Sequence, residues 1–480
     1  MKSPHSVTVL LPLALAFSAC SFAPPYHVPE STPVPSQYEE LDAWKPAAPM
    51  DQMPRGSWWQ LFTDPQLDDL ETKAAAANQN LKAAYARLQQ ARADTRIARA
   101  DFFPSITASA LAERARTSPN SPTYLAGHTT EGTDFNVEGD FSYELDFWGR
   151  VRNEVASAKA SELASVDDLA SLTLSIQAEL ATDYFNLRSD DTQQLLVNHA
   201  VEDYRQALQL TQNLYDAGAV PLGDVAQAQA QLENALTQAA DIHLLRAQAE
   251  HAIAVLTGEN PSSFGVPVNS LPPELTPPGV GTELPSALLE RRPDVAEAER
   301  RVASANAQIG VARAAYFPQF TLDATAGLNS TRASNWLSAP SRFWSIGPQL
   351  TAPIFEGGRL VAQTALTKAQ YSEQVAQYRN TVLTAYQDVE DSLAALRQLE
   401  QEAQTVASAV AAADIAMQQA LYRYRAGAAT FLEVSSAETI ALQAQLSAAD
   451  IQTRRFNATV TLIKALGGGW RASEPMVSNN

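Results

Sequence analysis

The chain is one unit written twice, and no other feature narrows its fold as much. Arg150 and Arg359 stand 209 residues apart, and that offset runs without a gap to Gly258 and Gly467. It superposes Lys159-Ala160 on Lys368-Ala369, Ala217-Gly218-Ala219 on Ala426-Gly427-Ala428, and Val225 on Val434. Upstream the offset is 214, aligning Ala98-Arg99-Ala100 with Ala312-Arg313-Ala314 and Phe103-Pro104 with Phe317-Pro318. The five-residue difference lies between these blocks, so the first copy has the longer connecting loop.

Proline and glycine mark the joints of each copy. Residues 150–217 and 359–426 contain neither, over 68 residues each, and are rich in the good helix formers Ala, Gln, Glu, Leu and Arg. In the second stretch Tyr371, Val375, Tyr378, Val382, Tyr386, Val389, Leu393 and Leu396 recur at spacings of three and four, the pattern of a coiled coil. Such a helix is about 100 Å long. Gly218 and Gly427 end these helices, and a second helix of about 39 residues returns in each copy to Gly258 or Gly467. Shorter amphipathic helices are predicted in 66–103 and 284–317, before each Phe-Pro. Two antiparallel coiled coils in a soluble structural protein would satisfy the helical pattern alone.

Between the helices the period changes. Phe135, Val137, Gly139, Phe141, Tyr143, Leu145 and Phe147 alternate with Asn136, Glu138, Asp140, Ser142, Glu144 and Asp146, apolar on one face and largely acidic on the other. Phe320, Leu322, Ala324, Ala326 and Leu328 alternate likewise with Thr321, Asp323, Thr325, Gly327 and Asn329. Residues 105–114 and 343–355 are weaker versions, the last interrupted by Pro348, and the loops 116–133 and 331–341 are polar. Strands of about ten residues with this alternation are the signature of a transmembrane β-barrel. An ordinary half-exposed soluble sheet also accommodates the alternation, but not its setting between helices of about 100 Å. Lipid tolerates no open strand edge, and the smallest closed barrels have eight strands, so four strands per chain require assembly. Periodicity does not choose between two copies and three.

The N-terminus reads as an export signal. Lys2 supplies a thin positive region, Val7 to Phe17 a short apolar one, and Ser18-Ala19 precede Cys20, the single cysteine. Cys20 stands where a bacterial lipoprotein is cleaved and lipidated, with Phe17 in place of the usual Leu; Ser21 after it resembles outer-membrane sorting. Removing residues 1–19 takes the formal charge from −19 to −20, because Lys2 is lost. An acidic chain gives no reason to expect nucleic-acid binding. One cysteine excludes an internal disulfide, and the six histidines show no ligand spacing. Gly467-Gly468-Gly469 lacks the Lys-Ser/Thr of a phosphate loop. No catalytic set, metal or cofactor is expected, and the chain is not read as an enzyme.

Several short motifs, in order, resemble the TolC superfamily of outer-membrane efflux proteins, and within it the NodT-type lipoprotein branch. They are Ala23-Pro24-Pro25-Tyr26; Trp58-Trp59 with Phe62, Asp64 and Leu67; Leu284-Pro285 with Leu288-Leu289; Arg291-Arg292-Pro293-Asp294-Val295; Gly310-Val311-Ala312-Arg313-Ala314; Gly357-Gly358-Arg359; and Leu466-Gly467-Gly468-Gly469-Trp470. The resemblance implies a mainly α protein with a transmembrane β part. It would form a homotrimer whose twelve-stranded β-barrel stands on a long periplasmic α-helical barrel. The implied plan is a signal peptide over 1–19; a lipid-anchored, Pro-rich equatorial segment over 20–65; helices over 66–103; a β-hairpin over 104–147; and a long helical hairpin over 148–258. A Pro-rich equatorial linker over 259–283 leads to the second helices (284–317), β-hairpin (318–356) and long helical hairpin (357–467), then a tail over 468–480. The implied function is the passive exit duct of a tripartite efflux pump for small toxic compounds. Its partners would be outer-membrane lipid, a periplasmic adaptor and an inner-membrane transporter, expected to be proton-driven. A protein-secretion outlet of the same superfamily and a periplasmic coiled-coil lipoprotein are the alternatives.

In the resembled family the two helical turns form the periplasmic tip, where the duct closes and the adaptor docks. That assigns Gly218, Val225, Gly427 and Val434 to the turns and docking, and Asp224, Tyr424, Arg425 and Glu433 to the gate. Tyr424, three before Gly427, and Asp224, six after Gly218, match a latch in which a tyrosine hydroxyl holds an aspartate of the neighbouring hairpin. Arg425 is the nearest base to supplement it, and Glu433 would form an acidic ring. Ser436 and Ala429 stand where relatives often carry a carboxylate and a base, so closure rests on fewer charges.

Overall fold

The computed structural model describes residues 21–30, 39, 57–118, 120, 122, 131–280 and 292–468. The expected signal segment 1–19, Cys20, Leu284-Pro285 with Leu288-Leu289, Arg291 and Trp470 lie outside them. The order of elements repeats: α1 (Pro65–Ala77), α2 (Gln79–Ala100), β1 (Ser105–Arg116), β2 (Glu131–Glu144), α3 (Arg150–Asp216) and α4 (Leu222–Leu256) in the first copy. The second has α5 (Pro293–Ala314), β3 (Gln319–Ser330), β4 (Arg342–Thr351), α6 (Arg359–Arg425) and α7 (Phe431–Ala465). We refer to α3–α4 as hairpin 1 and α6–α7 as hairpin 2. α3 and α6 have 67 residues each, about 100 Å at 1.5 Å per residue. The return helices have 35 residues. They are shorter than the Gly-to-Gly spacing because Pro221 and Thr430 serve as extended N-caps and hold the residues before them in the turns. The short-helix region of the first copy is divided at Asn78, whose Nδ2 donates to the Leu256 carbonyl at 2.8 Å while its Oδ1 accepts from the amides of Asn80 and Leu81.

The chain divides into two compact units, each drawn from both copies. The first takes Met1–Glu30, Leu88–Ser165 and Ala298–Tyr378. Its sheet is antiparallel in the order β1-β2-β3-β4. In register, Asp140 faces Thr107 and Thr325, and Phe141 faces Ile106 and Ala324. Successive residues therefore alternate between an apolar and a polar face. On the polar face Ser109 donates to Glu138 (3.3 Å), Thr325 to Asp140 (2.7 Å), Ser142 to Asp323 (2.7 Å), Gln319 to Glu144 (2.8 Å) and Asn329 to Asp134 (2.8 Å). The other face carries Ile106, Phe141, Tyr143, Leu322, Trp344, Ile346 and Leu350. Ile106 and Trp344 are each 75% exposed. Pro348, opposite Leu322, lacks an N–H and is accommodated because β4 is an edge strand. β2 ends at Glu144, and β4 at Thr351, earlier than alternation alone predicts. Gly149 at φ +76° belongs to the turn into α3, and Arg150 bonds back to Glu144 at 2.7 and 2.8 Å.

In the same unit, residues 21–26 lie antiparallel along α5. Arg313 donates to the Phe22 carbonyl (3.2 Å), Asn306 to the Pro24 carbonyl (2.9 Å), and Tyr26 to the Glu299 carbonyl (3.3 Å). Ser21 donates to Asn153 at 3.1 Å, and Phe22 stacks on Phe317 with ring centres 4.4 Å apart. Gly310 is where this strap crosses the helix. A Cβ there would sit 2.6 Å from Asn153 Nδ2 and 2.8 Å from Ala23 Cβ.

The second unit takes Ser31–Arg87, Val166–Glu297 and Arg379–Asn480. Trp58, Phe62, Phe185 and Phe456 form an aromatic core with ring centres 4.7 to 6.4 Å apart. Asp64 caps α1 and also accepts from Tyr184 (2.7 Å) and Arg188 (2.9 Å), so one carboxylate joins the first short helix to α3. Arg292 pairs with Asp294 (2.7 Å) and Asp388 (2.9 Å) and donates to the Ala465 carbonyl (3.3 Å). Val382, Ala385, Val389 and Leu393, spaced by three and four, are buried along α6. A second cluster of Val197, Val201, Leu232, Ile242 and Leu446 joins α3, α4 and α7.

Candidate functional site at the two helical turns

Both turns follow from one glycine each. Gly218 (φ +73°) and Gly427 (φ +70°) adopt the left-handed conformation that a side chain resists. The amide of Gly218 then bonds the Tyr215 carbonyl, and that of Ala219 the Leu214 carbonyl, both at 2.8 Å. Gly427 and Ala428 repeat these bonds to Tyr424 (2.9 Å) and Arg423 (2.8 Å). This six-to-one and five-to-two pairing satisfies the last carbonyls of α3 and α6.

The second turn is further tied by its side chains. Thr430 and Glu433 form a reciprocal capping box, with the Glu433 amide donating to Thr430 Oγ1 at 3.4 Å. The Glu433 carboxylate also pairs with Arg423 at 3.2 Å, and Arg423 donates to the Ala428 carbonyl at 3.1 Å. Arg423, not Arg425, is therefore the base engaged at this turn. Arg425 is exposed and makes no ion pair among the described residues. The pattern Thr-x-x-Glu signals the cap in sequence, but nothing local selects Arg423 over Arg425.

Tyr424 packs edge-on against Phe431 with ring centres 5.9 Å apart, and its hydroxyl is buried without a hydrogen-bond partner among the described residues. Asp224, half-buried in the first turn of α4, likewise has no side-chain partner among them. The two are not bonded to each other within the protomer. Val225 (7% exposed) and Val434 (1%) point into the helix interfaces beneath the turns, so neither is a surface residue. Apolar side chains that the turns do expose include Leu222 and Leu432, each 59% exposed, with Tyr215 and Tyr422 on the last turns of α3 and α6. Spacing cannot separate these from the buried valines, because all lie within one helical turn of the reversals.

No group of three or more His, Cys, Asp or Glu is arranged to hold a metal ion among the described residues, and none of the described helices is long and apolar enough to cross a membrane. The sheet has an apolar face with exposed side chains and two strand edges that have no strand partner among the described residues.

The described residues thus combine a duplicated pair of long helical hairpins with an edge-open amphipathic sheet. The model of the family described as outer membrane efflux protein matches residues 70–259 and 284–468, and the chain belongs to that family. It is 33% identical to the toluene efflux pump outer membrane protein TtgC of Pseudomonas putida, over 97% of this chain and 96% of that one. It is also 33% identical to the pyoverdine export outer membrane protein OpmQ of Pseudomonas aeruginosa, over 96% and 97%. Among solved structures, the outer-membrane channel OprN matches with a TM-score of 0.86 and 30% identity, covering 94% of this chain and all of that one.

Proposed function

We propose that this chain is the outer-membrane exit duct of an efflux pump, closed by its own assembly into a trimer and opened at its helical turns by an adaptor. The observation that carries the reading is the sheet. Four strands leave the outer edges of β1 and β4 without a strand partner among the described residues, and Ile106, Trp344, Ile346 and Leu350 on one face are exposed. A strand of 10 to 14 residues rises about 3.3 Å per residue, so at a tilt near 40° it spans about 25–35 Å, the apolar thickness of a membrane. Pairing β4 of one copy with β1 of the next removes every edge, and three copies give twelve strands.

Several finer assignments belong to the same reading. Cys20 carries lipid and directly precedes the strap over residues 21–26, whose Ser21 bonds Asn153 and whose Phe22 stacks on Phe317. The segments 20–65, 259–283 and 468–480 form an equatorial belt. Tyr424 and Asp224, both without side-chain partners among the described residues, bond across neighbouring hairpins and latch the tip, with Arg425 available to a neighbouring chain. The charge of the Glu433 ring is partly offset by Arg423. Leu222, Leu432 and Tyr422 offer the adaptor its apolar contacts. The duct conducts passively, and the inner-membrane transporter, proton-driven in this reading, selects the cargo. Relatives of equal identity named for toluene efflux and for pyoverdine export support that division of labour.

The test is chemical crosslinking of the purified protein with conductance in planar bilayers. Crosslinking should stop at three chains in a heat-dissociable species that forms ion-conducting pores. A limit of two chains, or no conductance, would overturn the twelve-strand duct.

A further inference from the structure

Above the turns, where hairpin 2 meets hairpin 1, the interface holds one acid that the latch does not use. Glu438 lies on the buried face of α7, 6% exposed, between Val434 and Ala441. Its carboxylate accepts from Gln231 Nε2 of α4 at 3.2 Å. Tyr204 of α3, itself buried, hydrogen-bonds Gln231 and closes a polar node across the three helices. The remaining charged group acting on Glu438 is Asp203 of α3, which is exposed and of like sign. Among the described residues α6, the other arm of its hairpin, brings no charged group to it. Farther from the turns the same interface continues in an apolar cluster, with Leu442 and Leu446 of α7 and Leu232 and Leu236 of α4.

We infer that Glu438 is a proton-controlled fastener between the two hairpins, holding them together when protonated and loosening them when ionised. The inference rests on reading the turns as the gate, because widening the tip requires hairpin 2 to part from hairpin 1. An ionised carboxylate at this place has, among the described residues, one amide donor, no cation and an acid nearby. A protonated one keeps the Gln231 bond at little electrostatic cost. Burial, then Asp203, push the Glu438 carboxyl up to about 7 although the Gln231 bond lowers it. Once the hairpins part, the group is solvated and returns to the ordinary range near 4.5. The joined state therefore binds the extra proton. Its advantage is complete below about pH 4.5 and is lost as pH rises through about 7. From about pH 5 to 8.5 the balance between joined and parted hairpins should shift on the order of a hundredfold per protomer.

The experiment follows hydrogen exchange, corrected for intrinsic rates, in the α7 amides of the full-length trimer across that pH range, alongside bilayer conductance. Wild-type protection near Glu438 should fall as pH rises through about 7, and Glu438→Gln should flatten the profile with protection retained. Asp203→Asn, an exposed substitution that leaves the core untouched, should move the midpoint to lower pH. A Glu438→Gln profile with the wild-type pH dependence overturns the fastener. If exchange responds as described but conductance does not follow it, the fastener stands and the reading of the turns as the gate falls.

Discussion

Tyr424 and Asp224 are side chains at the turns whose polar atoms have no side-chain partner among the described residues. A buried hydroxyl with no acceptor costs roughly 1–3 kcal/mol, so Tyr424 is better placed in an assembly that supplies a bond. A latch of about 0.5–1.5 kcal/mol per bond, repeated three times by symmetry, holds the tip with a few kcal/mol, within reach of a binding partner. The double variant Tyr424→Phe, Asp224→Ala is expected to raise single-channel conductance and to sensitise cells to large antibiotics. Wild-type conductance in the double variant would place the latch elsewhere. Glu433 shows how local chemistry modifies such an assignment: its carboxylate serves the Thr430 cap and Arg423 before it can serve a ring.

At the scale of elements, the strands divide their labour by parity. Phe141 lies on the apolar face beside Ile106 and Ala324, and Glu144 on the polar face opposite Thr321. An Arg or Lys facing lipid at mid-membrane costs about 2–4 kcal/mol, whereas a lumen substitution acts mainly on ion preference. Phe141→Arg should sharply lower the yield of heat-dissociable trimer. Glu144→Gln should leave that yield intact and weaken cation preference in reversal-potential measurements, losing also the Arg150 ion pair at 2.7 Å. Equal yields for both variants would mean that the strands are not in a bilayer. The helices were legible for the same reason as the strands: Val382, Val389 and Leu393 are buried at the spacings that a coiled coil demands.

For the whole molecule, the duplication supplies two copies of each element, and the two units each draw on both. The strap over residues 21–26 is bonded along α5 at three carbonyls, so this segment is held in place without any lipid. Acyl chains contribute about 0.8 kcal/mol per buried CH₂, but a closed barrel is already embedded. Cys20→Ala is therefore expected to reduce the amount of protein reaching the outer membrane more than the conductance of what arrives. Mass spectrometry should find Cys20 acylated in outer-membrane material, and an unmodified thiol there would refute the anchor.

The repeat, the helix ends at Gly218 and Gly427 and the amphipathic strands were written in the linear sequence, because backbone conformation and side-chain period are set by neighbours a few residues away. Which side chains near the turns face solvent was not. Val225 and Leu222 are three residues apart, and only the helix opposite them buries one and exposes the other. Arg423 took the partner expected for no base in particular, since the choice between it and Arg425 depends on which way α6 presents its last turn to Glu433. Glu438 reads as one more polar residue on a mixed helix. Its surroundings come from Gln231 and Tyr204, more than 200 residues away in the chain. Tertiary contact between the hairpins makes that node, because burial of a charge is a property of what packs around it and not of the segment that carries it.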